Sequence, residues 1–227
     1  MARPKGQSTR TTGGRNPQMF LLILGLAALA VLVLIVVGSL SRSHKAPKTT
    51  YLKGIPVDGR TLGFADAPVE VWDYSDFLCP HCREFVEGPE KRLIEEYVKT
   101  GKVRFVFKQF VLSERSLPAA NAAECAREQG KFWEYHDYLY ARQATDSPFP
   151  TQKLKAYARQ LGLDTSRFDK CVDEGKYFDA LMKETMEGYK RGVRGTPTIF
   201  VNGTMVPRGM QWSYLKEAID AALKESQ

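Results

Sequence analysis

The sequence predicts an α/β domain with an all-helical insertion, preceded by one apolar helix, on three observations. Residues 69–74 and 102–110 read as strands, and the stretch between them, 84–99, repeats Phe85, Val86, Leu93, Ile94 and Tyr97 at helical spacing. Strand, helix, strand makes a βαβ unit whose two strands should run parallel. Residues 118–191 keep the helical period throughout, and residues 19–40 carry no charge at all.

The appendage comes first along the chain. With 227 residues and 43% hydrophobics, there is material for one globular domain of about 150–200 residues and something outside it. Residues 1–18 hold Arg3, Lys5, Arg10 and Arg15 and no acid, a mixture too poor in apolar surface to order itself, so a disordered tail is expected. Residues 19–40 are almost wholly Leu, Val, Ile and Ala, close to the roughly 20 residues that a helix needs to cross a bilayer core. The run is longer than a signal-peptide core and no A-x-A-like site follows, which favours an uncleaved transmembrane signal anchor over cleavage near Ser39 or Ser41.

The net charge of +7 belongs mostly to this region: Arg3, Lys5, Arg10, Arg15, Arg42, Lys45, Lys48 and Lys53 precede the domain, and the remainder of the chain is near neutral. A basic groove for nucleic acid is not indicated. Residues 41–62, with Pro47, Gly54, Pro56 and Gly59, read as a linker to a domain over 63–227. Within it, helices are expected over 119–129, 132–141, 151–161, 165–174 and 177–191, separated by Gly130, the Ser147-Pro148-Phe149-Pro150 turn, Gly162 and Gly175. Strand character returns at 198–201, followed by Asn202-Gly203, a strong hairpin signal. A last helix over 211–224 places Trp212, Leu215, Ile219 and Leu223 on one face.

Chemistry is concentrated in Phe77-Leu78-Cys79-Pro80-His81-Cys82-Arg83. A strand that delivers Cys-x-x-Cys to a helix N-terminus is the thioredoxin arrangement. Cys79 would cap the helix and Pro80 would take its first position, where a missing N–H costs nothing. The unpaired N–H groups and the positive end of the helix dipole then favour a Cys79 thiolate. His81 over the sulfur would add a donor, and Cys82, one turn inside, would stay an ordinary thiol. Lowering a thiol pKa from about 8.5 to about 4 favours the reduced form by roughly 6 kcal/mol, which makes the disulfide roughly 130 mV more oxidising. Cys-x-x-Cys is also half of many zinc knuckles, but Cys125, His136 and Cys171 are too scattered to complete one. An oxidising dithiol has a use only where disulfides persist, which places the tail inside the cytoplasmic membrane and the domain outside.

Pro197 opens a strand to whose ladder it cannot donate. A cis Thr196-Pro197 bond would account for it and leave the Thr196 backbone free to pair with an extended substrate beside Cys79; a trans proline at a strand start is the alternative. Once Cys79 and Cys82 are paired, Cys125 and Cys171 either bridge each other or stay as two buried thiols. Trp133, Tyr135, Tyr138 and Tyr140 read as core.

Three segments carry a family resemblance: Asp73-Tyr74-Ser75-Asp76-Phe77-Leu78-Cys79-Pro80-His81-Cys82; Gln129-Gly130-Lys131-Phe132-Trp133 with Tyr135-His136-Asp137; and Gly192-Val193-Arg194-Gly195-Thr196-Pro197-Thr198 with Phe200-Val201-Asn202-Gly203. Together, over about residues 50–227, the chain resembles the DsbA-like thiol:disulfide oxidoreductases, especially the membrane-anchored BdbD-like bacterial members. The resemblance implies a thioredoxin fold with a helical subdomain inserted at about 113–191, a nucleophilic Cys79, a resolving Cys82 and a cis Pro197. It implies no cofactor beyond the Cys79-Cys82 disulfide, and a quinone-linked membrane reoxidant of the DsbB or vitamin K epoxide reductase type. Asp73 stands where that family carries a buried acid; a half-buried strand carboxylate is the alternative, and Lys108 is the candidate for the lysine that accompanies the acid. The expected activity is oxidation of secreted-protein thiols by a membrane-tethered domain. Its rivals are a reductase or isomerase, for example in cytochrome maturation, and a non-catalytic binding or chaperone module.

Overall fold

The computed structural model describes residues 17–40 and 49–226. Residues 1–16 of the expected tail over 1–18, and part of the expected linker, 41–48, lie outside the described residues. Helix α1, Pro17–Leu40, is 24 residues long and forms a compact unit separate from the domain. Its described side chains are exposed, Leu24, Leu26 and Leu34 among them. Although its sequence carries no charge, among the described residues no helix is long and apolar enough to cross a membrane, so the expected crossing rests on the sequence of this segment.

The domain is built on a six-stranded sheet: β1 (Val57–Asp58), β2 (Thr61–Leu62), β3 (Val69–Ser75), β4 (Val103–Gln109), β5 (Thr198–Val201) and β6 (Thr204–Met205), in spatial order β1-β2-β4-β3-β5-β6. As the βαβ reading requires, β3 and β4 are parallel, from Val69 opposite Val103 to Ser75 opposite Gln109. On its other side β3 pairs antiparallel with β5, Asp73 opposite Ile199. Alternation along β3 divides its side chains between two clusters. Val69 and Val71 face the main core with Phe105, Phe107 and Leu215, and Tyr74 joins Phe110, Val193 and Phe200 with Trp72 packed against them.

Between β3 and β4 the chain forms α2 (Pro80–Phe85), a π-helical turn at Val86–Glu90, α3 (Lys91–Leu93) and a second π-helical turn at Ile94–Val98. The helix starts at Pro80 behind Cys79, as the capping reading expects and four residues before the periodic stretch 84–99, and it is not regular. Pro89 lies in the first wide turn, where its missing N–H removes a rung of the α ladder. The second wide turn contains no proline.

Five helices form the insertion: α4 (Leu117–Arg127), α5 (Phe132–Asp146), α6 (Thr151–Gln160), α7 (Thr165–Asp173) and α8 (Phe178–Lys190). Trp133, Tyr135, Tyr138 and Tyr140 on α5 are all buried: Trp133 packs on Phe105 and Phe107 of β4 and Tyr140 on Phe77, whereas Tyr135 packs on Phe168 of α7 and Tyr138 on Tyr157 of α6. Cys125 on α4 and Cys171 on α7 are bridged, with Cα atoms 5.9 Å apart. Between β5 and β6, Asn202 and Gly203 take positive φ of 46° and 79°, the conformation for which that residue pair is suited. Helix α9, Trp212–Glu225, buries Leu215, Ile219 and Ala222.

One expectation is corrected at the sheet edge. The last residues of the expected linker are strands: Leu62 pairs with Phe105, and β1 folds back on β2 around Gly59 at φ 55°. Two-residue strands carry no readable alternation, so only their partners reveal them. Arg60 in this hairpin sits between two insertion carboxylates, 2.6 Å from Glu184 on α8 and 3.4 Å from Glu124 on α4.

Candidate active site

Three elements converge on the Cys79 sulfur. From β3 comes the loop Asp76 to Leu78, closed by the Asp76 carboxylate, which accepts from the N–H groups of Leu78 (2.6 Å) and Leu112 (2.8 Å). Cys79 itself is extended, at φ −78° and ψ 119°, and Pro80 occupies the first turn of α2. From the far end of the chain comes Thr196, whose carbonyl lies 3.2 Å from the Cys79 sulfur. The Thr196-Pro197 bond is cis, as the sequence suggested.

Both cysteines are free thiols in this structure, and their environments differ. Cys79 is 7% exposed, and its thiol is pulled down to about 5. The largest cause is a hydrogen bond from the Cys82 thiol, opposed by burial and assisted by Thr196 and the backbone N–H groups of Cys82 and His81. A carbonyl would hold the protonated thiol and do nothing for a thiolate. The Thr196 hydroxyl, buried and otherwise without a partner, is the group there that can donate to the anion. The ordinary thiol expected at Cys82 is not what the structure has: Cys82 is 0% exposed, and its thiol is pushed well up, first by burial, then by its hydrogen bond to Cys79 and the charge of Asp73.

Asp73 is fully buried, and its carboxyl is pushed up to about 7 by burial, against the pull of the Ser75 hydroxyl. Ser75 Oγ donates to the Asp73 oxygens at 2.7 and 2.6 Å. The charge of Cys79 raises Asp73 further. A carboxyl that exchanges its proton near neutrality, beside a thiol that must lose and regain one, has the properties of a general acid and base.

Two further expectations fail here. The His81 ring does not sit over the sulfur: it is exposed, with Nδ1 3.1 Å from Glu84 Oε2, and Glu84 is the main cause of its raised pKa. It is the His81 backbone N–H that serves Cys79. Lys108 is not beside Asp73 either. In the β3–β4 register Asp73 is opposite Phe107, and Lys108 lies on the other face with its ammonium 5.5 Å from the Trp72 ring.

The sequence reading missed the clamp supplied by the insertion. The Gln143 side-chain amide donates to the carbonyls of Phe77 (2.8 Å) and Cys79 (2.9 Å), and the Tyr140 hydroxyl donates to that of Asp76 (3.3 Å). His136, Tyr140 and Gln143 lie at i, i+4 and i+7 on the buried face of α5. A glutamine on an otherwise aromatic stripe was the available signal. His136 is wholly buried, with Nδ1 3.0 Å from Asp137 Oδ1. Among the described residues no group of three or more His, Cys, Asp and Glu side chains is placed to hold a metal ion.

The family model described as Thioredoxin matches residues 57–221. A probable disulfide bond formation protein D of Bacillus cereus is 31% identical over 215 residues, covering 90% of this chain and 98% of that protein. The chain belongs to the DsbA-like thioredoxin family. The crystal structure of BdbD from Bacillus subtilis, in its oxidised form, superposes with a TM-score of 0.66 at 25% identity, covering 76% of this chain and 95% of that one. A longer protein is similar over part of its length: Na(+)/H(+) antiporter NhaA 3 of Salinispora tropica is 36% identical over 175 residues. Those residues are 74% of this chain and about a quarter, 25%, of the antiporter's length.

Proposed function

We propose that the chain is a membrane-tethered, extracytoplasmic dithiol oxidase that donates the Cys79-Cys82 disulfide to folding secreted proteins. The observation that carries this reading is the Cys79 sulfur, held at the mouth of α2 with its pKa lowered to about 5 beside a Cys82 thiol whose pKa is raised. Even discounted for solvent screening, such a shift favours the reduced form by on the order of 4 kcal/mol. A disulfide whose reduction releases that energy is a ready electron acceptor.

The reaction balances in two exchanges. A substrate thiolate attacks the Cys79 sulfur, the Cys79–Cys82 bond breaks, and Cys82 leaves as a thiolate that takes a proton from Asp73. A second substrate thiolate then attacks the first substrate sulfur and releases Cys79 as its stabilised thiolate. Two electrons pass to the enzyme, and the substrate keeps the disulfide. Thr196, whose carbonyl is already beside Cys79, is the backbone along which an extended substrate would lie. A quinone-linked membrane protein of the DsbB or vitamin K epoxide reductase type would reoxidise the dithiol.

The anchor reading is supported by the sequence of residues 19–40, uncharged and almost wholly Leu, Val, Ile and Ala, close to the roughly 20 apolar residues that a membrane-crossing helix needs. In this arrangement residues 1–18 are cytoplasmic, 19–40 span the membrane, and the linker leads to the domain outside.

The test uses the oxidised full chain mixed with one equivalent of a dithiol peptide. Stoichiometric oxidation of the peptide is expected, with a loss of at least about a thousandfold in Cys79→Ser, in line with removal of a nucleophile. Preferential reduction of insulin instead would make the protein a reductase. Unchanged activity in Cys79→Ser would leave only a binding module.

A further inference from the structure

The buried acid Asp73 poses a transport problem, because each turnover moves a proton between Cys82 and solvent, and neither group reaches solvent. Both Asp73 oxygens are engaged by Ser75, and the Cys79 side of the site is where substrate would sit. Glu90 lies on the buried face of the helix that carries Cys82, two turns farther on, with Val86 between them. It is 1% exposed, and its Oε2 is buried without a hydrogen-bond partner. No part of the proposed thiol chemistry uses it.

Beyond Glu90 there is an opening. Glu90 lines a cavity of about 240 Å³ that reaches the surface, together with Tyr51, Glu87, Lys91, Asp137 and Tyr140. Asp137, from α5, accepts from the Tyr51 hydroxyl at 2.9 and 3.1 Å and lies 3.0 Å from His136 Nδ1. We propose that Glu90 and this cavity are the proton exit of the active site, carrying protons between Asp73 and solvent. The proposal rests on the dithiol-oxidase reading above.

The charges facing Glu90 suit the task. Its carboxyl is pushed well up, first by burial, then by Asp73 from β3 and Asp137 from α5, with Lys91 alone opposing them. Tyr140, which lines the cavity beside Glu90, is held protonated by burial and by the charges of Cys82, Asp73, Asp76 and Glu90. Glu90 therefore rests as a neutral acid. When Asp73 gives its proton to the departing Cys82 thiolate, Glu90 passes its own to Asp73 and is reprotonated by water in the cavity. When Cys82 attacks during reoxidation, the same proton leaves by the reverse route, so each half-reaction balances with one proton exchanged at the cavity.

The test follows the reduced full chain reacting with oxidised glutathione in stopped flow. The first step, attack by Cys79, is separated from the second, in which Cys82 must deprotonate to expel glutathione. Glu90→Gln is expected to slow the second step about 10-fold between pH 6 and 8, a modest share of the usual general acid–base effect. Its pH profile should flatten, the first step should be unchanged, and formate should restore the rate. Asp137→Asn, at the cavity wall, should slow the same step about threefold, and it decides the matter if Glu90→Gln does not fold. Wild-type second-step rates and pH profile in the variants, or equal slowing of both steps, would overturn the proton exit. A wild-type Cys79 that does not react at all would instead overturn the oxidase reading.

Discussion

Cys125 and Cys82 are equally hidden, at 1% and 0% exposure, yet the first is locked in a bridge to Cys171 and the second is a free thiol facing Cys79. Burial therefore does not separate the structural pair from the reactive one. What differs is the set of polar groups aimed at sulfur. Cys79 receives two backbone N–H groups of the first turn of α2, the Cys82 thiol and Thr196, and Cys82 feels the charge of Asp73. The other pair joins two helices of the insertion across 46 residues of chain. A thiol becomes a redox group where a helix begins and a buried acid waits beneath it; the bridged pair lies within helices, and the acid near it, Glu128 at 4.0 Å from the Cys171 sulfur, is paired with Lys176.

The contrast can be broken most decisively at the staple. Replacing Cys125 and Cys171 together by serine should cost about 2–4 kcal/mol of unfolding free energy, the usual worth of closing a loop of this length. Dithiol oxidation by the folded fraction should stay close to wild type. Denaturant unfolding read alongside the peptide assay checks both, and a collapse of activity without a loss of stability would make the second pair part of the redox machinery. A smaller effect sharpens the other side of the comparison. Gln143→Ala removes the hydrogen bonds that hold the Phe77 and Cys79 carbonyls. It should cost about 1–2 kcal/mol in the same unfolding experiment and slow dithiol oxidation several-fold. Unaltered oxidation would show that the insertion supports the domain and not the geometry of the site.

Much of this was legible in the sequence where the signal is local. The Cys-x-x-Cys with proline at the helix start, the Asn202-Gly203 hairpin and the apolar faces of the insertion helices each state their conformation within a few residues. The strands β3 and β4 were readable because each is long enough to alternate. The β1–β2 hairpin was not, since strands of two residues have no period. Nor was the direction of the His81 ring, which is settled by Glu84 one turn away on an exposed face and not by the sulfur. Ser75, Asp76, Gln143 and Glu90 were missed for a shared reason: they are polar residues whose importance comes from burial, and burial is set by elements far off in the chain. The acid at Asp73 was named only through resemblance, and the structure supplies the physical ground, a carboxyl enclosed in the core and raised to about 7.

The most direct test is the ionisation of Cys79 in the reduced full chain, followed by thiolate absorbance with the reduction potential recorded over the same pH range. A folded-state pKa below the ordinary value means that the reduced form is stabilised fully above the free-cysteine range, progressively less as pH falls, and not at all once pH drops through the folded value. Ionisation at about 5 is therefore predicted. The potential should fall by roughly 59 mV per pH unit below that point, where two protons accompany two electrons, and by roughly 30 mV per unit above it, where one does. A single ionisation near 8.5, the value of free cysteine, with no change of slope near pH 5 would contradict the account.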